Sequence, residues 1–366
     1  MRILILSANT GGGHNSTAKA LGEQMERYQI SYEIADTLSF ISEKVSDFIS
    51  WGHSYVYRRL PRLFGIGYRY EEKHSVSFIY NQCAKGADAL FEKLQSEPFD
   101  AVICTHVFSG LMMTELRLRH GAVMPCYFIA TDYTCSPGVS KMNADGYFVP
   151  HRMLLSEFVH NGIAADKLFA TGIPIGEIFY REEGDREAIR RDLKLPDGKK
   201  IVLLSCGSMG CGKLKKSAKM FLRKMPENAC LVVLCGNNEK VYELLRQYES
   251  DRFVVLPFIQ NMADYMSVAD VYMTKPGGLT TTEAIAKKIP MILVNAVPGC
   301  ETRNYHFLTE QGVAFGAKSW QHANSLLKKM LQGEKALGQQ KEAMEGFGEQ
   351  RSAEAICNFL MREISQ

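Results

Sequence analysis

The sequence predicts a doubly wound α/β protein made of two Rossmann-like halves. Three observations carry that expectation. Short continuous apolar runs alternate with helical stretches, the pattern of parallel strands covered on both faces. The alternation breaks around Gly172–Gly184 and restarts at Lys200. The length, 366 residues, suits about two domains at about 150 residues each.

The elements follow in order. Strands are expected at Ile3–Leu6, Tyr32–Ala35, Ala101–Cys104, Tyr127–Ala130 and Tyr147–Val149, with helices at Asn15–Arg27, Phe78–Leu94 and Ser109–His120. Gly172, Pro174, Gly176 and Gly184 then punctuate the chain, so a first domain spans 1–172 and a second 173–344. The second half places strands at Ile201–Ser205, Leu231–Leu234, Phe253–Leu256, Val271–Thr274 and Met291–Val294. Leu337–Ile364 reads as helical, and its end, about 345–366, is expected to pack back on the first domain.

Composition excludes several classes. A hydrophobic fraction of 46% and a charged fraction of 23% are those of a globular chain. No run approaches the ~20 apolar residues of a membrane-spanning helix. Ile3–Leu6 is too short for a signal-peptide core. The ten cysteines form no C-x-x-C pair and lie largely in strand-like runs, which points to buried thiols in a reducing cytosol and to no metal site. A net charge of +3 is too mild to indicate a nucleic-acid partner.

In open parallel sheets, ligands sit beyond the carboxyl ends of the strands. The first strand ends in Ser7-Ala8-Asn9-Thr10-Gly11-Gly12-Gly13-His14-Asn15-Ser16. The glycines let a ligand approach the backbone, and Asn15 or Ser16 can cap the following helix. His14 falls at the helix N-terminus, where the dipole disfavours imidazolium. It reads equally as a general base or as a structural residue of a phosphate loop.

The second half opens with Gly207-Ser208-Met209-Gly210-Cys211-Gly212-Lys213, followed by Leu214 where a nucleotide-triphosphate loop needs Ser or Thr. A glycine loop touching a diphosphate fits better. After Val271–Thr274 comes Lys275-Pro276-Gly277-Gly278-Leu279-Thr280-Thr281-Thr282-Glu283, which suits a phosphate at a helix start, although Thr280-x-x-Glu283 is also a capping box. Glu301 and Asn304 stand three apart, on one helix face, and can read sugar hydroxyls. Phe258 and Ile259 can flank a nucleobase.

Taken together, these segments resemble the glycosyltransferase family of monogalactosyldiacylglycerol synthases and processive diacylglycerol glucosyltransferases, which is similar to glycosyltransferase family 28. The most specific pieces are Gly11–Ala20, Thr131-Asp132, Lys275–Glu283 and Pro298-Gly299-x-Glu301-x-x-Asn304. The resemblance implies a two-domain GT-B fold. It implies inverting, metal-independent transfer of a hexose from a UDP-sugar to a lipid, with diacylglycerol the expected acceptor. His14 would be the base on the acceptor hydroxyl, with Asp132 the next candidate. Gly207 and Ser208 would lie near the phosphates, and Gly277, Gly278, Thr280 and Thr281 would hold the diphosphate. Glu283 would bind ribose, Phe258 and Ile259 uracil, and Glu301 with Asn304 the sugar. No cofactor is implied, since the UDP-sugar is a substrate. Two departures stand out. Cys300 replaces the Gln common in the family, which leaves the donor open, and no His follows Thr131-Asp132 as in the plant-type enzymes. Another acceptor, or nucleotide-sugar binding without transfer, stays open as an alternative.

Residues 51–74 interleave Trp51, Tyr55, Phe64 and Tyr68 with Arg58, Arg59 and Arg62. Aromatic and basic residues together favour an anionic membrane surface. With Gly12 and Gly13 they form the expected acceptor side. The implied location is cytoplasmic, peripheral to the inner face of the cell membrane.

Overall fold

The computed structural model describes residues 1–9, 12–41, 60–73, 78–121, 124–181, 184–207, 214–347 and 351–364. Trp51, Tyr55, Arg58, Arg59 and Ser208 lie outside the described residues. The chain divides into two compact units, one of Met1–Glu177, Val297–Arg303 and Gln350–Gln366, the other of Ile178–Ala296 and Asn304–Glu349.

The first unit holds strands β1 (Arg2–Ser7), β2 (Ser31–Asp36), β3 (Ala101–Cys104), β4 (Cys126–Ile129), β5 (Gly146–Val149) and β6 (Leu168–Ala170). They pair in the order β2-β1-β3-β4-β5-β6, all parallel. Ile3, Leu4, Ile5 and Leu6 are completely buried, as a strand covered on both faces requires. Its helices are α1 (Gly12–Arg27), α2 (Pro61–Lys73), α3 (Phe78–Ala84), α4 (Ala87–Ser96), α5 (Val107–His120) and α6 (Leu155–His160).

The second unit holds α7 (Arg186–Asp192), β7 (Lys200–Ser205), α8 (Leu214–Lys224), β8 (Ala229–Leu234), α9 (Glu239–Arg246), β9 (Phe253–Leu256), α10 (Met262–Val268), β10 (Val271–Thr274), α11 (Gly278–Ala286), β11 (Met291–Leu293), α12 (Cys300–Glu310), β12 (Phe315–Gly316), α13 (Trp320–Gln332) and α14 (Glu334–Phe347). Only the first turn of α12 belongs to the first unit. This sheet is also parallel, in the order β12-β11-β10-β7-β8-β9. Gln340 pins α14 to the strand edge: its side chain accepts from the Met291 N–H at 2.8 Å and donates to the Met291 carbonyl at 3.2 Å.

The last helix, α15 (Ser352–Ile364), returns to the first unit. Ala353, Ile356, Cys357, Phe359 and Leu360 join the core formed by β1, α1, β3, β4 and β5. Phe359 meets Phe148 and Tyr127 edge-on, with ring centroids 5.2 and 5.3 Å apart. Each buried aliphatic or aromatic side chain contributes about 1.5–3 kcal/mol.

Several local expectations are corrected. The helix expected over Phe78–Leu94 is two helices, α3 and α4, joined at Lys85-Gly86. A Cβ on Gly86 would lie 2.5 Å from Met112 Cε and 3.2 Å from the Phe40 backbone, so glycine lets the chain pass close to both. Leu337–Ile364 likewise divides between α14 and α15. Strands β6 and β12, of three and two residues, were too short to stand out as apolar runs. No helix among the described residues is long and apolar enough to cross a membrane. Nine described cysteines are free and eight of them are buried.

Candidate functional site

Strand order reverses between β1 and β3 in the first unit and between β7 and β10 in the second. Such switch points open a crevice beyond the carboxyl ends of the strands. His14 follows β1 at the first of these places, and Gly207 and Lys275 follow β7 and β10 at the second.

In the first unit, α1 begins at Gly12, earlier than expected, so His14 sits in its first turn. Asn15 does not cap the helix. Its carboxamide accepts from Ser7 Oγ and donates to Asn9 Oδ1, both at 2.5 Å, while Asn9 donates to Asp36 at 2.6 Å. That chain ties the β1–α1 turn to the end of β2. The His14 Nδ1–H donates to the Thr105 carbonyl at 2.8 Å. A carbonyl only accepts, so Nδ1 carries the proton and Nε2 carries the lone pair. Thr131 Oγ1 lies 3.1 Å from the same nitrogen. Burial pulls the imidazole below its ordinary 6.5, against the opposing charge of Asp132 and the bond to Thr105.

Asp132 is half-buried and accepts from the Cys300 thiol, whose own pKa is driven up by burial and by that carboxylate. Arg303 lies 3.6 Å from Glu157, which in turn accepts from Thr134 at 2.6 Å and the Cys135 N–H at 2.9 Å. Tyr68 does not face outward with the aromatic belt. Its ring lies against Gly299, where a Cβ would come within 3.1 Å of it, and Gly65 lies against Pro298. The opposite face of α2 is apolar and exposed: Leu63 is 53% accessible, Ile66 56% and Tyr70 55%. Arg62 and Arg69 are exposed, and Phe64 is half-buried.

In the second unit, Gly207 takes φ +76° at the end of β7, a left-handed conformation that favours glycine. A Cβ there would lie 3.4 Å from Lys275 Cε and 3.7 Å from Nζ. Lys275 is buried at the end of β10. Sequence reasoning counted it in the Lys275–Glu283 segment but gave it no role, because spacing does not show that its ammonium lies near Gly207. Gly277, not Thr280, is the N-cap of α11, and no side chain caps it. The capping-box alternative is therefore excluded. Among the described residues, a Cβ at Gly277 would meet nothing within 4 Å, and the turn stands at the positive end of a helix.

The residues of α11 divide. Thr281 is fully buried and donates to the Gly277 carbonyl at 2.8 Å, so its hydroxyl braces the turn. Thr280 is half-buried. Burial pushes the Glu283 carboxyl up to about 8, and no hydrogen bond or ion pair reaches it among the described residues. Glu301 accepts from the Val297 N–H at 2.8 Å. Asn304 is completely buried and donates to the Pro276 carbonyl at 2.9 Å. That bond ties α12 to the Lys275–Gly277 turn. Phe258 is 53% exposed after β9, with Ile259 half-buried beside it.

Comparison with known proteins bears on the family and the fold. Residues 14–175 match the monogalactosyldiacylglycerol (MGDG) synthase family, and residues 201–356 match the glycosyltransferase family 28 C-terminal domain. The processive diacylglycerol beta-glucosyltransferase of Bacillus licheniformis is 28% identical over 99% of this chain and 94% of its own length. The enzyme of the same name from Bacillus subtilis is 28% identical over 99% and 95%. Among solved structures, S. aureus MnaA with UDP superposes with a TM-score of 0.67 at 15% identity, covering 100% of this chain and 97% of that one. Acinetobacter baumannii MurG superposes at 0.63 and 16% identity, covering 99% of each. These neighbours share the GT-B fold. With the synthase match first and the family 28 match second, the chain is similar over nearly its whole length to the MGDG synthase and processive diacylglycerol glucosyltransferase family and is a UDP-sugar-dependent glycosyltransferase.

Proposed function

We propose that the protein transfers a hexose from a UDP-sugar to diacylglycerol at a membrane surface, with inversion and without a metal in the chemistry. The observation that carries this reading is His14: its proton is fixed on Nδ1 by a backbone carbonyl, which leaves Nε2 as the base. The acceptor hydroxyl gives its proton to Nε2 as its oxygen attacks the anomeric carbon, and the bond to UDP breaks. Asp132 stabilises the imidazolium that forms. A single displacement inverts the centre, in keeping with the beta-linkage in the names of the Bacillus relatives.

The leaving diphosphate collects negative charge. The uncapped start of α11 and the buried Lys275 supply fixed positive potential there, the type of preorganised stabilisation that replaces a cation. Glu283, whose carboxyl has no hydrogen-bond partner among the described residues, suits the ribose hydroxyls, and exposed Phe258 suits the base. The apolar face of α2, flanked by Arg62 and Arg69, suits the headgroup region of an anionic bilayer.

The test is incubation with diacylglycerol vesicles and a panel of UDP-hexoses in the presence of a chelator, followed by mass spectrometry of the lipids. A glycolipid from one donor is expected. UDP binding without any glycolipid would overturn the acceptor assignment, and activity only after metal is restored would overturn the metal-free chemistry.

A further inference from the structure

His106 follows Thr105, the residue whose carbonyl holds His14. The pair stands at the end of β3, and the Thr105 N–H donates to the Leu6 carbonyl of β1 at 2.9 Å. His106 is buried and N-caps α5, accepting from the Phe108 N–H through Nδ1 at 3.0 Å. Its ring stands edge-on to His14, with centroids 4.4 Å apart and planes at 80°. On its other side it meets Phe108 at 4.3 Å.

Among the described residues, the hydrogen-bond contacts of the His14 ring, to Thr105 and Thr131, act on one atom, Nδ1. Contacts at a single atom leave a ring free to swing about that atom. Nε2, on the far side, would move most. A ring packed edge-on against the imidazole removes that freedom.

We propose that His106 is a positioning residue for the base: its ring, separately from its helix-capping nitrogen, fixes where His14 Nε2 stands. This rests on the reading of His14 as the base. The two roles of His106 separate by substitution. Asn caps a helix well but removes the ring, whereas Phe keeps a ring and loses the cap.

The test compares His106→Asn, His106→Phe and His14→Ala for glycolipid formation, UDP affinity, melting temperature and the pH dependence of kcat/KM. His106→Asn should keep its melting temperature and UDP affinity yet lose about 3- to 12-fold in kcat, the scale of an aromatic pair contact. Its acidic limb should move up toward 6.5 as water reaches His14. His106→Phe should melt lower but retain most of its kcat. The inference fails if His106→Asn stays within twofold of wild type with an unmoved limb, or if His106→Phe loses as much kcat as His106→Asn. If His14→Ala retains activity, the assignment of the base falls, and the inference with it.

Discussion

His14 offers a prediction with two independent readouts. Replacing it with Ala removes the base and leaves the donor unit untouched. Positioned general bases contribute about 10²- to 10⁴-fold, which is about 2.7–5.5 kcal/mol of barrier, so kcat should fall by that factor while UDP affinity holds. The second readout is pH. With its pKa below 6.5, the imidazole is at least about three-quarters neutral at pH 7. The kcat/KM of wild type should therefore stay nearly flat from pH 8 to 7 and fall only below 6.5. Stability follows the same sign. The unfolded chain takes up a proton near 6.5 that the folded site resists, so the unfolded state binds more protons and stability is lost as pH falls from 6.5 toward the lower folded pKa. His14→Ala should lose that component of acid sensitivity. The assay is glycolipid formation across pH 5–8.5 alongside melting curves. A limb lying between pH 7 and 8, or a variant within tenfold of wild type, would refute the reasoning.

Three further outcomes are expected. Lys275→Met should weaken UDP about 10- to 150-fold, the scale of a hydrogen bond to a charged group, and leave uridine affinity unchanged in calorimetry; equal losses for both would show a structural role instead. Glu283 holds a proton in the folded state up to about pH 8 that the unfolded chain releases above 4.5, so stability declines as pH rises between those values. Glu283→Gln should therefore raise the melting temperature at pH 8.5, leave it unchanged at pH 4.5, and weaken uridine and UDP alike. The double variant Leu63→Glu, Ile66→Glu should lower binding to phosphatidylglycerol vesicles at least tenfold in sedimentation, with UDP affinity intact.

The strands were legible because parallel strands covered on both faces must be continuously apolar, as in Ala101–Cys104 and Phe253–Leu256, where the expected and observed bounds coincide. The glycine-rich strand ends were legible too, since close backbone approach leaves a compositional trace. Tertiary events were not. Gly86 packs close to Phe40 and Met112, Tyr68 packs on Gly299, and Thr105 acts through a carbonyl that any residue would possess. Spacing put Asn304 on the same helix face as Glu301, but it could not show that its amide also reaches the Pro276 carbonyl.

The helix Ser352–Ile364 has a consequence for how the protein comes off the ribosome. Its apolar side chains complete the core around β1 and β5, yet about 190 residues are made after Glu177 before they emerge. At about 5–20 residues per second, the amino-terminal unit waits roughly 10–40 s with one flank of its core uncovered. During that interval it is a client for chaperones. A gene cut at the interdomain border would make this exposed state permanent, so the first unit should be expressed with its distant helix supplied, in the same chain or as a separate peptide.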